Sequence, residues 1–310
     1  MIIRILGSAA GGGFPQWNCN CRNCADVRVG KPGLSPRTQS SLAVSRNGRE
    51  WILLNASPDL RQQINATPQL GSQPDGGLRN SPIKAVVLTN GDVDHIAGLI
   101  NLREVEPLSI YGSKRVLDTL AANSIFNVLS GEVVYRHELP LGKTTPLFAA
   151  QGSLGLTVTP FDVPGKVALY LEDASQGPGF GTQSGDTIGL EVADPQTGKS
   201  FFYIPGCAAL DEPLRKRLTG AALVFFDGTL YCDDEMIVQG LLNKTGARMG
   251  HISISGDHGS IAAFADLGVA RKVYVHINNS NPVLDDNSSE HAAVVAAGWQ
   301  VGYDGMEITL

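Results

Sequence analysis

Short apolar runs, separated by Gly, Pro and Asn, recur along almost the whole chain and limit its fold more than any other feature. Runs of this length that are rich in β-branched residues predict β-strands. After an opening run at 1–7, they lie at 42–44, 51–54, 85–88, 132–135, 156–159, 187–192 and 201–204. Helical patterns lie between and after them, at 58–64, 95–102, 113–122, 210–218, 260–267 and 288–297.

This order of elements predicts a mixed α/β fold in which two sheets pack together and helices lie outside them. No linker divides the chain, so we expect a single domain over residues 1–310. Two stretches, 67–82 and 173–185, lack an apolar period and are predicted to be long loops. The glycines of the second favour either an active-site lid or an ordinary flexible hairpin tip.

Composition excludes several classes of protein. The chain is 43% hydrophobic and 17% charged, which is typical of a globular protein and not of a disordered or fibrous one. Its net charge is −6 and it has no dense basic run, so nucleic acid is not an expected partner. No stretch approaches the roughly 20 apolar residues of a membrane span, and no secretory signal is recognisable. We therefore expect a cytoplasmic protein.

Three of the five cysteines form a Cys-x-Cys-x-x-Cys cluster at Cys19, Cys21 and Cys24. Three neighbouring thiolates can occupy three corners of a tetrahedron, which is the geometry of structural zinc. The alternative is a set of free thiols in a loop. Cys207 and Cys232 each lie alone near an apolar run, so we expect both to be buried packing residues.

A polar segment, Thr89-Asn90-Gly91-Asp92-Val93-Asp94-His95, directly follows the apolar run at 85–88. At the carboxyl end of a buried strand, Asp92, Asp94 and His95 can converge on one metal ion. The alternative is a solvated turn in which Asp94 caps the helix that begins at His95. His251 and His276 are each predicted at or just beyond a strand end and strengthen the metal hypothesis. Neither a Gly-x-Ser-x-Gly elbow nor a phosphate-binding loop is present.

In this order, the motifs resemble those of the metallo-β-lactamase superfamily. That resemblance implies a four-layer αβ/βα sandwich with metal at the sheet edges. More narrowly, the chain is similar to the family of the pyrroloquinoline quinone (PQQ) biosynthesis protein B, through the segments FPQWNCNCRNC, LLNASPDLRQQI, TNGDVDHIAGL and VHINNSNP.

The superfamily signature His-x-His-x-Asp-His is altered here to Asn90-x-Asp92-x-Asp94-His95, and Gly206 stands where relatives carry a bridging Asp. The resemblance therefore leaves Asp94, His95 and His276 as ligands of one active-site metal. Two histidines and one carboxylate form the facial triad of Fe²⁺ oxygenases, although Zn²⁺ and Mn²⁺ also suit them.

The resemblance also assigns supporting roles to other residues. Asp92 is a candidate fourth ligand or base, and His251 is a candidate proton donor. In the phosphodiesterase branch of the superfamily, a His closes a similar cysteine site. Asn279 occupies that position here, so Asn279, a water molecule or an acidic side chain is the expected fourth zinc ligand.

The implied function is iron-dependent hydroxylation, with O₂ as co-substrate, of a small tyrosine- and glutamate-derived precursor of PQQ. Two alternatives stay open: a carrier that moves PQQ or its precursor toward the periplasm, and a metal-dependent hydrolase. Other enzymes of PQQ biosynthesis are expected partners. Four arginines in or near predicted loops are candidates to bind substrate carboxylates: Arg22, Arg37, Arg61 and Arg79.

Overall fold

A computed structural model describes residues 1–177 and 179–310. These residues form two seven-stranded sheets. The strands are β1 Ile2–Gly7, β2 Ser41–Ser45, β3 Trp51–Leu54, β4 Ile83–Val87, β5 Leu108–Gly112, β6 Val134–Glu138, β7 Thr145–Ala149, β8 Gly152–Asp162, β9 Ile188–Asp194, β10 Lys199–Ile204, β11 Val224–Asp227, β12 Lys272–Val275, β13 Trp299–Val301 and β14 Glu307–Thr309.

Short helices connect the strands and cover the outer faces of both sheets. They are α1 Arg22–Arg28, α2 Leu60–Ala66, α3 Val93–Ile96, α4 Lys114–Ala122, α5 Glu212–Leu218, α6 Glu235–Val238, α7 Gly246–Met249, α8 Ser260–Ala263 and α9 Ser289–Ala296. A 3₁₀ helix, Ala97–Leu102, continues α3.

The first sheet has the strand order β14-β1-β2-β3-β4-β5-β6, and the second has the order β13-β12-β11-β10-β9-β8-β7. In each sheet one half is antiparallel and the other parallel. The parallel runs are β3 to β6 and β10 to β13. Since parallel strands end at the same edge of a sheet, the residues after β4, β10, β11 and β12 are brought to the edges where ligands bind in such folds.

Alternate residues of the inner strands pack on opposite faces. In β10, Phe201 and Tyr203 belong to the core between the two sheets, whereas Phe202 and Ile204 pack under the helices. Both faces of these strands are buried, which is why they are continuous apolar runs in the sequence. Leu60 of α2 and Leu120 of α4 cover the first sheet, while Leu214 of α5 and Val294 of α9 cover the second. The expected four-layer αβ/βα sandwich is confirmed.

Every predicted apolar run overlaps a strand, but several strands carry no such run and were missed. The strands that no predicted run overlaps are β5, β7, β11, β12, β13 and β14; of these, only β12 was implied, by the strand end predicted at His276. The predicted helix at 260–267 is shorter, because α8 ends at Ala263. Within the predicted loop at 173–185, Ala174–Gln176 form a 3₁₀ turn, and Pro178 lies outside the described residues.

Three details of the cysteine and aspartate predictions need correction. Cys24 lies on helix α1 and not in a loop. Cys207 is buried as predicted, but Cys232 is exposed. Asp94 lies inside α3, so it does not cap that helix; Asp92 is at the N-cap position and makes no side-chain hydrogen bond there.

In the part of the chain that the structure describes, no helix is long and apolar enough to cross a membrane.

Candidate functional site

Three side chains from the facing edges of the two sheets converge at the end of β4 and β12. Asp94 and His95 lie on α3, which begins shortly after β4, and His276 directly follows β12. One ligand atom from each of the three lies within 4.8 Å of the others. His276 has a left-handed backbone conformation with φ of 57°. Such conformations in non-glycine residues cost energy and are concentrated at functional sites.

His95 is oriented as a metal ligand would be. Its Nδ1 lies 2.6 Å from Oδ1 of Asn90, so Nδ1 carries the proton and donates it to the amide oxygen. Its Nε2 is buried and has no hydrogen-bond partner among the described residues. Burial lowers the pKa of His95 to about 4, which keeps the ring neutral. A neutral imidazole with a free, buried lone pair fits a metal ion at this point.

His276 and Asp94 face each other across the same point. Nε2 of His276 lies 3.0 Å from Oδ2 of Asp94, and its Nδ1 lies 2.8 Å from the hydroxyl of Thr229. Although burial acts in the opposite direction, His95 and His276 lower the pKa of Asp94. Burial also opposes a charge on His276, but its hydrogen bond with Asp94 raises its pKa. A divalent cation can replace the proton that these two side chains share.

Asp92 lies beside this group but its ligand atoms are not among the converging set. Its Oδ1 accepts a hydrogen bond from the backbone N–H of Leu169, at 3.1 Å. Burial and the neighbouring Asp94 raise the pKa of Asp92 to about 6. Asp92 therefore connects the segment 89–95, which we call the metal-ligand loop, to the segment that contains Leu169.

His251 was predicted at or just beyond a strand end, but it follows helix α7 in an irregular segment. Its Nδ1 lies 2.6 Å from Oδ2 of Asp227, and its ring stacks on that of His276 with centroids 5.2 Å apart. Asp227, His251 and His276 also bring ligand atoms within 4.8 Å of one another. However, Asp227 already accepts bonds from the backbone N–H groups of Cys207 and Thr229. Asp227 therefore orients His251 rather than offering a free ligand.

The sequence reasoning missed this role of Asp227 and the role of Thr229. The hydroxyl of Thr229 lies 2.6 Å from Oδ1 of Asp227 and 3.1 Å from Nδ1 of His251. It therefore connects both histidines to the buried carboxylate. The only signal in the sequence was the polar Asp227-Gly228-Thr229 segment at the end of an apolar run, which is also typical of an ordinary turn.

Two glycines border the site closely. A Cβ at Gly206 would lie 3.7 Å from Cε1 of His251, and a Cβ at Gly11 would lie 3.5 Å from Oδ2 of Asp94. Position 206 thus lies next to the imidazole ring of His251. The glycine leaves open the space that a bridging carboxylate would fill.

The cysteine cluster forms a second converging group. The Sγ atoms of Cys19, Cys21 and Cys24 lie within 4.8 Å of one another. Nδ2 of Asn279 lies 3.1 Å, 3.6 Å and 3.3 Å from these three sulfur atoms, in the same order. The nitrogen and oxygen of a side-chain amide have nearly the same size and shape. Rotation of the Asn279 amide by 180° therefore places its oxygen, a possible metal ligand, next to the three sulfur atoms.

The thiols of this cluster do not titrate alike. Burial raises the pKa of Cys21 to about 12. In Cys19 burial acts in the same upward direction, but hydrogen bonds with Cys21 outweigh it and lower its pKa. A divalent cation would offset the repulsion between neighbouring thiolates. The three sulfurs and Asn279 therefore fit a structural zinc ion.

In the part of the chain that the structure describes, none of the four arginines proposed from the sequence forms a hydrogen bond or ion pair with Asp94, His95 or His276. Arg22, Arg61 and Arg79 are exposed. Arg37 is buried, and its Nη1 donates to the backbone oxygen of Gly302.

Comparisons with known proteins show the family and the fold of this chain. Residues 50–277 match the model of the beta-lactamase superfamily domain. The coenzyme PQQ synthesis protein B of Xanthomonas campestris pv. campestris is 54% identical over 310 residues, which cover all of both chains. The crystal structure of Zn²⁺-bound PqqB from Methylobacterium extorquens has a TM-score of 0.94, with 50% identity and complete coverage of both chains.

The chain belongs to the family of coenzyme PQQ synthesis protein B. It shares its fold with more distant proteins of the superfamily as well. A diphosphatase of the PhnP family has a TM-score of 0.68 at 19% identity, covering 99% of this chain and 96% of the other. At that identity the similarity shows the fold alone.

Proposed function

We propose that this chain acts in PQQ biosynthesis as an iron-dependent oxygenase that hydroxylates a tyrosine-derived intermediate. The observation that carries the proposal is the convergence of one carboxylate, Asp94, and two imidazoles, His95 and His276, whose ligand atoms lie within 4.8 Å of one another. Such a two-histidine, one-carboxylate set leaves coordination positions open for substrate and dioxygen. Iron bound there would supply the activation of dioxygen.

The replaced ligand positions argue against a two-metal hydrolytic centre. Asn90 uses its amide oxygen to hold His95, so it serves as a support of a ligand. Gly206 has no side chain with which to bridge two metals. A two-metal hydrolase needs ligands at these positions to clamp the attacking and leaving oxygens.

The names of the relatives support the pathway. They are called coenzyme PQQ synthesis protein B at 54% identity over the full length. In the proposed reaction one aromatic C–H bond becomes C–OH with one atom of O₂. The other oxygen atom takes up two protons and two electrons and leaves as water. The two electrons come from an external reductant of the ascorbate class. Other enzymes of the pathway would supply the substrate.

In the proposed reaction His251 transfers a proton, and Asp227 orients its ring. Because Nδ1 of His251 faces Asp227, the proton at Nδ1 is held there and Nε2 is the atom available to a substrate. The stacked ring of His276 keeps His251 next to the ligand group. Nε2 of His251 can therefore hold or move a proton at the phenol without being a metal ligand.

The test is oxygen uptake by anaerobically purified protein reconstituted with Fe²⁺, given ascorbate and the tyrosine-containing intermediate. The wild-type protein is expected to yield a product heavier by one or more oxygen atoms. The His276→Ala variant should lose this product, whereas His258→Ala, which changes an exposed histidine, should retain it.

The alternatives give different results in the same experiment. Absence of oxygen uptake, with PQQ bound equally by wild-type protein and His276→Ala, would replace catalysis by the carrier function. Release of a hydrolysed product under anaerobic conditions with Zn²⁺ would instead support a hydrolase.

A further inference from the structure

Three charged side chains form an ion cluster beside the metal-ligand group: Lys166, Glu172 and Arg248. The carboxylate of Glu172 accepts from Nζ of Lys166 and from Nη2 of Arg248, the latter at 2.9 Å. The ring of Phe180 lies under the Arg248 guanidinium, with the central carbon 3.7 Å from the ring centroid. The Lys166 and Glu172 side chains are only 16% and 12% exposed. We name this group the basic triad.

The backbone ties the basic triad to both sides of the candidate active site. The hydroxyl of Thr187 donates to the backbone oxygen of Lys166, and Thr187 pairs with Asn90, which holds His95. On the other side, a Cβ at Gly250 would lie 3.1 Å from Cβ of Lys166, and Gly250 immediately precedes His251.

The segment between Lys166 and Glu172 also contacts the metal-ligand loop directly. The backbone N–H of Leu169 donates to Asp92, and the hydroxyl of Tyr170 donates to the backbone oxygen of Gly91 at 2.7 Å. The basic triad therefore forms part of the wall next to Asp92 and His251.

The triad has more positive charge and more donors than its single carboxylate can use. Two cations and one anion leave a net charge of +1. An ammonium has three N–H donors and a guanidinium has five. Among the described residues, Glu172 is the only acceptor for the side chains of Lys166 and Arg248. Partly buried donors without partners are a site for an added anion.

We propose that Lys166 and Arg248 bind a carboxylate of the substrate and that Glu172 holds the two cations in place. This inference rests on the proposed function, because a precursor derived from tyrosine and glutamate carries several carboxylates. The role of binding a substrate carboxylate, which the sequence analysis gave to four arginines, is here assigned to Lys166 and Arg248. Arg248 has the planar geometry that suits a carboxylate, and Phe180 holds its plane.

The test is equilibrium binding of PQQ, a tricarboxylic acid, to the full chain loaded with Zn²⁺, so that no turnover is required. Lys166→Met and Arg248→Met are each expected to weaken binding about tenfold, the effect of losing one charge-assisted hydrogen bond. Lys166→Arg, which keeps the charge, should retain most of the affinity. Lys114→Met is the matched control, because Lys114 pairs with Asp118 on the exposed surface of α4.

Two further measurements separate substrate binding from a merely structural role. Glu172→Gln keeps a side-chain oxygen that can accept from the two cations but removes the negative charge that competes with the ligand, so PQQ binding should stay as tight as in the wild type or become tighter. If the triad only braces the segment, Glu172→Gln weakens binding as Lys166→Met does. The trimethyl ester of PQQ should bind the wild type about as weakly as PQQ binds the Met variants.

The inference is overturned if wild-type protein fails to bind PQQ at millimolar concentration, or if it binds the acid and its ester equally. It is also overturned if folded Lys166→Met and Arg248→Met proteins bind PQQ like the wild type. Because binding is measured without oxygen chemistry, loss of oxygen uptake with intact, Lys166-dependent PQQ binding would reject the hydroxylase and keep the carboxylate site.

Discussion

Asn90 and His95 share a buried hydrogen bond of 2.6 Å at the point where β4 leads into α3. The superfamily resemblance makes position 90 a metal-ligand position, yet here its side chain supports a ligand. The same interaction fixes the His95 tautomer and directs Nε2 toward Asp94 and His276. In the proposed metal site, Asn90 therefore supports the ligand His95 and is not a ligand itself.

Replacing Asn90 by Ala should lower the affinity for the active-site metal by about 10- to 100-fold, the usual cost of losing such a supporting bond. The reason is that Nδ1 of His95 loses its acceptor and the ring loses its fixed orientation. Competition with a metal-sensitive chelator measures the effect. Asn90→Asp, which keeps an acceptor at the same place, is the control and should retain more affinity. Equal metal affinities in all three proteins would contradict the role of Asn90.

Cys24→Ser should remove one equivalent of zinc and lower the melting temperature. A metal that binds only the folded protein stabilises it by about 3 kcal/mol at a hundredfold excess over its dissociation constant, and this contribution would be lost. Metal analysis and thermal unfolding, with and without EDTA, check the result. Cys232→Ser is the control, because Cys232 is exposed and lies outside the cluster. Two variants with the same zinc content would refute a structural zinc site.

Asn279 offers a direct test of the fourth zinc ligand. Asn279→His places a stronger zinc ligand next to the three cysteine sulfurs, so zinc should be released more slowly to a chelator. Asn279→Ala should release it faster than the wild type. Asn127→Ala, an exposed position, serves as the control. Identical release rates for the His, Ala and wild-type proteins would show that position 279 does not contribute to the site.

Glu172 should make a pH-dependent contribution to stability. The hydrogen bond to Arg248 and the neighbouring Lys166 lower the pKa of Glu172 from its usual 4.5 to about 2. Between these values the folded protein binds fewer protons than the unfolded chain, so the stabilisation present above pH 4.5 is lost as the pH falls toward 2. Glu172→Gln should therefore cost about 1 kcal/mol at neutral pH, a small value because the Arg248 side chain is 31% exposed and water screens its ion pair with Glu172.

Urea unfolding of the two proteins at several pH values measures this difference, which should vanish near pH 2. Glu104→Gln is the control, since Glu104 contacts only Arg103 in an exposed pair. A difference that stays constant from neutral pH to pH 2 would mean that the Glu172 charge does not stabilise the fold.

The convergence of Asp94, His95 and His276 could be predicted because polar residues that follow a buried apolar strand stand out in a sequence. Asp94, His95 and His276 all belong to such positions. Asp227 has the same position but could not be assigned, since its contact with His251 arises only when the segment after α7 packs against the end of β11. Contacts between distant segments leave no local pattern.

The fold was predictable where both faces of a strand are buried, as in β3 and β10. Strand β5 was missed because Leu108–Gly112 mixes Ser, Tyr and Gly with two apolar residues, and its pairing with β4 and β6 decides its conformation. The basic triad was missed for a related reason. Lys166 and Arg248 are distant in sequence, and their common contact with Glu172 depends on the path of the connecting segments.

His251 should affect turnover without affecting metal content. His251→Gln is expected to lower kcat by about 10²- to 10⁴-fold, the range for loss of a proton-transfer group, while bound iron stays at the wild-type level because Asp94, His95 and His276 are unchanged. Asp227→Asn should lower kcat and shift its pH profile, since the partner that orients His251 loses its charge. Metal analysis and oxygen uptake measure both effects, with His258→Ala as the control. Loss of iron in folded His251→Gln protein would instead make His251 a ligand, together with Asp227 and His276.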